Sequence, residues 1–157
     1  MISQHFVINK TSFKRKKLTI LQHKLRVVMK CYTITNFILN DDEKPYKISH
    51  RCFYFSKEVI GFIKECKYEK IFHSMFDQLL RSATSIGANV VEGKAGSSKK
   101  DWKNYYSIAL KSANETKYWL CLIAESIEVP KLKVKELIKE ADEISKIIGS
   151  IIVKSSQ

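Results

Sequence analysis

Four lysines, Lys94, Lys99, Lys100 and Lys103, fall close together in the chain, with Trp102, Tyr105 and Tyr106 beside them. Lysine ammonium groups neutralise phosphates and an exposed aromatic ring stacks on a base, so this combination has the chemistry of a nucleic-acid contact. A second reading stays open, in which the lysines are a solvated helix start and the aromatics belong to the core. Just upstream, Glu92 stands beside a glycine-containing loop, where a carboxylate can act as a general acid or base. No regular spacing places a second acid, a histidine or a nucleophile next to it, and Asn89 and Asp101 suffice for a local capping network. His5, His23, His50 and His73 are scattered, and Cys31, Cys52, Cys66 and Cys121 form no C-x-x-C pair. With no phosphate loop, dinucleotide fingerprint or nucleophile elbow, the residues assign no catalytic group, no metal site and no cofactor.

The lysines belong to a basic protein. Its 157 residues carry 28 Lys and Arg against 16 Asp and Glu, a formal net charge of +12. Such a surplus favours polyanions: RNA, DNA or an acidic protein surface. Residues 1–48 hold ten basic and three acidic side chains, so +7, which leaves eighteen and thirteen, so +5, for residues 49–157. The second part is therefore only mildly basic. A composition of 45% hydrophobic residues, with two prolines and five glycines, is enough for one real core. The cysteines read as free thiols of a reducing cytoplasm. No apolar run reaches the roughly 18 residues of a membrane span, and LTILQHKLR is interrupted by His23, Lys24 and Arg26 before a signal-peptide core develops.

Two segments follow from the patterning. Residues 1–48 form a poorly defined basic N-terminal extension: FKRKK at 13–17, an apolar stretch from Leu18 to Leu39 without a clean period, then the acidic linker NDDEKP at 40–45. It reads as a basic arm for nucleic acid or as a weakly ordered extension, with Met29 as an internal alternative start. Residues 49–157 are helical throughout. A first helix over about Ser49–Tyr68 carries Phe55, Val59, Phe62, Ile63 and Cys66 on one face, and a second over about His73–Glu92 carries Met75, Leu79, Ala83, Ile86 and Val90. Gly93 and Gly96 then offer the permissive backbone of a helix end and tight turn. Ser97, Ser98 and Asp101 cap a third helix over about Lys99–Ser126, whose inward face includes Trp102, Tyr105, Ile108, Ala109, Ser112, Ala113, Thr116, Trp119, Leu120 and Ile123. Pro130 opens a fourth, running to about Val153, with Leu132, Leu137, Ile138, Ala141, Ile144, Ile148 and Ile151 inward. Four amphipathic helices on short links predict an all-α protein, an antiparallel up-down four-helix bundle.

The second helix has a further row, Gln78, Ser82, Ser85, Asn89 and Glu92, at spacings of four, three, four and three. Small and hydrogen-bonding residues beside an apolar stripe predict close, specific helix contact. If the second and third helices fold back about residues 94–97, facing positions sum to about 194. Arg81 then meets Glu115 in an ion pair that fixes register, with Ser82 and Ser112 nearby.

QLLRSATSIGANVVEG at 78–93, followed by SSKKDW and by ALKSANETKYWL at 109–120, resembles the signature of the four-helix bundle proteins encoded by intervening sequences in bacterial 23S ribosomal RNA genes. The diversity-generating retroelement accessory protein looks like a relative. The resemblance covers about Ser49–Gln157, and its pattern maps onto Gln78, Arg81, Ser82, Ser85, Ile86, Asn89, Glu92 and Gly93, then Asp101, Ser112 and Glu115. It implies a cytoplasmic, non-enzymatic helical protein that self-associates as a ring-like homopentamer. Through the accessory-protein branch it also implies association with RNA or DNA and with a reverse transcriptase.

Overall fold

The computed structural model describes residues 47–156, so the expectations for the N-terminal extension lie outside the described residues. Within them the chain forms α1 (Ile48–Glu65), a short 3-10 turn (Lys70–Phe72), α2 (His73–Ala95), α3 (Lys99–Ser126) and α4 (Lys131–Ser156). No strand occurs among the described residues. The helices pack as a bundle, and pairwise contacts give their directions. Arg51 and Glu58 on α1 pair with Glu140 and Lys133 on α4, so partner numbers fall as α1 advances. Ser49 and Ser56 on α1 reach Lys94 and Ala83 on α2 in the same reversed order. Ser85 and Gly93 on α2 meet Ser112 and Tyr106 on α3. Each of these neighbouring pairs is antiparallel.

Local chemistry explains where the helices begin. The Ser98 hydroxyl accepts the Asp101 N–H at 3.1 Å, while the Ser97 hydroxyl donates to the Asp101 carboxylate at 3.0 Å. Together they satisfy an orphan amide of the first turn and put a negative charge at the positive end of the helix dipole. Pro130 sits one residue before α4 rather than inside it, and its carbonyl accepts the Val134 N–H at 3.1 Å. Its missing N–H costs nothing there.

Periodicity located most of the core. Phe55, Val59 and Phe62 from α1, Leu79, Ala83, Ile86 and Val90 from α2, Ala109, Ala113, Leu120 and Ile123 from α3, and Leu137, Ala141, Ile144 and Ile148 from α4 are buried. Some expected members are not. Met75 is half-buried, and the neighbouring Phe76 takes the core position, stacked on Tyr68 with ring centroids 3.8 Å apart. Leu132 is 78% exposed: five residues from Leu137, it lies about 140° round the helix from it. Ile108 also lies outward. The first helix stops at Glu65, short of Tyr68, and α2 continues past Glu92 to Ala95.

The glycines do other work than the one predicted for them. No described residue has positive φ. Gly93 lies inside α2, where a Cβ would stand 2.8 Å from two ring carbons of Tyr106, and Gly96 is extended with a Cβ position 3.1 Å from the Gly93 carbonyl. Gly93 is needed for close approach, while a Cβ at Gly96 would crowd its neighbours more mildly. A Cβ at Gly61 or Gly149 would meet nothing within 4 Å. Gly61→Ala and Gly149→Ala should therefore each stabilise by roughly 0.5–1 kcal/mol, whereas Gly93→Ala should destabilise, because crowding the Tyr106 ring costs on the order of 1–3 kcal/mol. Denaturant melts of the three variants give opposite signs if this account is right; a stabilising Gly93→Ala would contradict it.

Candidate functional site: the α2–α3 hairpin

α2 and α3 are joined by Gly96–Ser98, with Gly96 and Ser98 both extended. The end of this hairpin gathers the lysines. Lys99, Lys100 and Lys103 are exposed on the first turns of α3, and among the described residues no carboxylate pairs with them. Lys94 differs from these three: its Nζ donates to the Ser49 hydroxyl at 2.8 Å, and partial burial, reinforced by the nearby Lys47, lowers its pKa. Lys47 is the basic residue that sequence spacing missed. Only the antiparallel return of α2 brings it to this end.

The aromatic residues take the structural role. Tyr106 is buried and stacks on Trp102, with centroids 4.3 Å apart. Trp102 and Tyr105 are half-buried, so the hairpin end offers lysines without an exposed stacking platform.

Between the helices the polar row forms a connected seam. The Ser112 hydroxyl donates to the Ser85 hydroxyl at 3.0 Å, and the Asn89 amide donates to the same oxygen at 2.9 Å and to the Ser85 carbonyl at 2.8 Å. Buried Ser82 donates to the Leu79 carbonyl, and buried Thr116 to that of Ser112. Among the described residues no buried side-chain nitrogen or oxygen lacks a partner. The seam is therefore satisfied within one chain, as a buried polar network must be.

The predicted Arg81–Glu115 ion pair does not form. Facing residues stand about three positions further along α3 than a tight hairpin about residues 94–97 predicts, but this leaves Glu115 within one residue of level with Arg81, and the pair is absent because both side chains are exposed, turned away from the helix interface. Thr116 is then level with Arg81. Arg81 points outward, and the exposed Glu115 accepts instead from the Trp119 indole N–H at 3.3 Å. Gln78 is half-buried, Glu92 is exposed, and Gly93 is buried under Tyr106. No group of three metal-ligating side chains occurs among the described residues. Burial pushes the Cys52 thiol up to about 12, which removes it as a nucleophile at neutral pH.

A four-helix bundle whose central hairpin is held by a small-residue polar seam defines the class. Residues 44–150 match the 23S rRNA-intervening sequence protein family, and the chain belongs to it. A crystal structure of a protein of unknown function from the S23 ribosomal protein family of Bacteroides thetaiotaomicron is similar, with 33% identity and a TM-score of 0.60 over 68% of this chain and 98% of that one. No curated protein matches the chain. No helix among the described residues is long and apolar enough to cross a membrane.

The thiols provide a direct check of the packing. Cys121 is exposed, Cys66 half-buried and Cys52 buried between α1 and α2. Brief alkylation at pH 8 followed by peptide mass mapping should modify Cys121 first, Cys66 more slowly, and Cys52 only after unfolding. Equal rates at Cys52 and Cys121 would contradict the α1–α2 contact.

Proposed function

We propose that the protein is a non-enzymatic, homo-oligomeric scaffold of the cytoplasm that associates with RNA through the lysine-bearing end of the α2–α3 hairpin. The observation that carries this reading is the exposure of Lys99, Lys100 and Lys103 with no acidic partner among the described residues, at the same end of the hairpin as Lys94 and its neighbour Lys47. Ammonium groups on the first turns of a helix release counterions from phosphates whatever the base sequence. The contacts of one chain are weak, and an oligomer such as the homopentamer implied by the resemblance multiplies them by raising the effective concentration of each site.

A second reading, a protein-interaction module with no nucleic-acid contact, is favoured by one observation. Trp102 and Tyr106 stack inward, so the aromatics that would hold bases are spent on the core.

Gel-shift titration of the full chain against a structured RNA, across a series of salt concentrations, separates the two. Wild-type affinity should fall as salt rises. The Lys99→Glu, Lys100→Glu, Lys103→Glu triple variant should bind more weakly, with a log–log salt slope shallower by roughly 0.7–0.9 for each lysine that contacts a phosphate. Acidic residues suit the start of α3, so the fold should tolerate the change. Absent or salt-independent wild-type binding favours the second reading.

A further inference from the structure

The aromatic ring that the hairpin end lacks stands further along the same helix. Tyr118 on α3 is 59% exposed, whereas Tyr106 near the helix start is buried and Trp102 and Tyr105 are half-buried. Its ring meets that of Trp119 edge-on, with centroids 5.1 Å apart, and the Trp119 indole in turn donates to Glu115 at 3.3 Å. Tyr118 is thus steadied from one side by its own helix and left largely in solvent.

Helix geometry sets this ring in line with the lysines. Lys100, Lys111 and Tyr118 are eleven and seven positions apart, steps that return a side chain to within about 20° of one line along an α-helix. Asn104 lies close to the same line, and Lys99 and Lys103 stand to one side of its start. The line runs opposite the buried Ala109, Ala113 and Leu120, clear of the contacts that Ser112 makes with α2 and Lys117 with α4. From Lys100 to Tyr118 it is about 27 Å long. Between Asp101 and Glu115 α3 has no acidic residue, and the Asp101 carboxylate is engaged by the Ser97 hydroxyl. Among the described residues no carboxylate pairs with Lys99, Lys100, Lys103 or Lys111. The outer side of α3 is therefore a positive strip with one aromatic ring at its far end.

We propose that a single-stranded segment of RNA lies along this side of α3, its phosphates neutralised by Lys99, Lys100, Lys103 and Lys111 and one of its bases stacked on Tyr118. The ring selects the single strand. Lysines alone attract any run of phosphates, paired or unpaired. A base rests on a side chain only where it has left its own stack, as in single strands and in the loops of a folded RNA. A duplex meets the same lysines and gains nothing from Tyr118. The inference rests on the RNA reading above, extends that site from the hairpin end along α3, and names the form of RNA it takes.

Fluorescence anisotropy of the full chain with two labelled probes tests it: an oligouridylate of about 16 nucleotides and an RNA duplex of the same length. The wild type should bind the strand more tightly than the duplex at equal salt. Tyr118→Ala should weaken strand binding by about 5- to 150-fold, the range for losing one stacked base, while leaving duplex binding and the salt slope as they were. Tyr118→Phe, which keeps the ring, should bind as the wild type does. Lys111→Gln should make the strand's log–log salt slope shallower by about 0.7. Both positions are exposed, and unchanged helical circular dichroism confirms that each variant is folded. A Tyr118→Ala protein that keeps wild-type strand affinity, or that loses strand and duplex binding equally, overturns the Tyr118 contact. The RNA reading still stands in that case if the triple lysine variant binds more weakly than the wild type. A wild type that binds neither probe overturns both.

Discussion

The close approach of α2 and α3 is the constraint on which the rest of the bundle depends. At Gly93 the backbone of α2 comes so near the Tyr106 ring that no side chain fits between them. One contact zone further down the hairpin, the Ser112 hydroxyl donates across the interface to that of Ser85, which Asn89 on the same helix also engages. Large apolar residues would hold two helices at an ordinary separation and tolerate sliding by a turn. Small residues bring backbones together but bury polar groups, and a hydroxyl-to-hydroxyl bond is satisfied in one register only. Close packing and register are thus fixed by the same few side chains, and the Phe55, Leu79, Ile86, Leu120 and Ile144 core fills the space that this spacing leaves.

The other two helices are attached by different means. α1 packs on α2 through Gly87 against Cys52 and through the Ser56 hydroxyl, again with small residues at the contact. α4 is tied to α1 by the two-pronged Arg51–Glu140 pair, with Nη2 to Oε2 at 2.8 Å, and by Lys133–Glu58. It is tied to α3 by Lys117–Asp142, to which Lys146 adds a second cation. Hydrogen bonds from Lys146 and Lys117 hold the Asp142 carboxylate below its ordinary pKa. The pairing is thus present above the usual carboxylate range and is lost as pH falls through the depressed value. Partly exposed pairs of this kind contribute little energy each. Their value lies in choosing which face of an otherwise lysine-rich α4 turns inward.

Much of this was legible in the sequence because helices repeat. Apolar spacing located all four helices and most of their buried faces, and Ser98 with Asp101 marked the start of α3 by a local mechanism that needs no tertiary context. What escaped was set by contacts between elements. Whether Met75 or Phe76 faces the core depends on where the link delivers Tyr68, and periodicity admits either. The expected turn role of Gly93 followed from its neighbours in the chain, whereas its real constraint comes from Tyr106 on the next helix. The Arg81–Glu115 expectation put the two residues at nearly the same level of the hairpin and erred in turning them toward each other, since both are exposed and Glu115 accepts from Trp119 on its own helix. The lysine cluster was legible as composition, and Trp102 and Tyr105 were assigned to the inward face, whereas the fully buried ring is Tyr106, a choice between adjacent helix positions that the approach of Gly93 on α2 decides.

The missing Arg81–Glu115 ion pair shows what does hold the hairpin in register. With both charges left facing solvent, neither side chain limits how α2 and α3 slide past each other. That constraint falls to uncharged contacts, the Ser112–Ser85 hydroxyl bond and the Tyr106 ring against Gly93. An exposed ion pair would contribute little at such a place, whereas a hydroxyl enclosed between two helices must find its partner or leave a polar group unsatisfied.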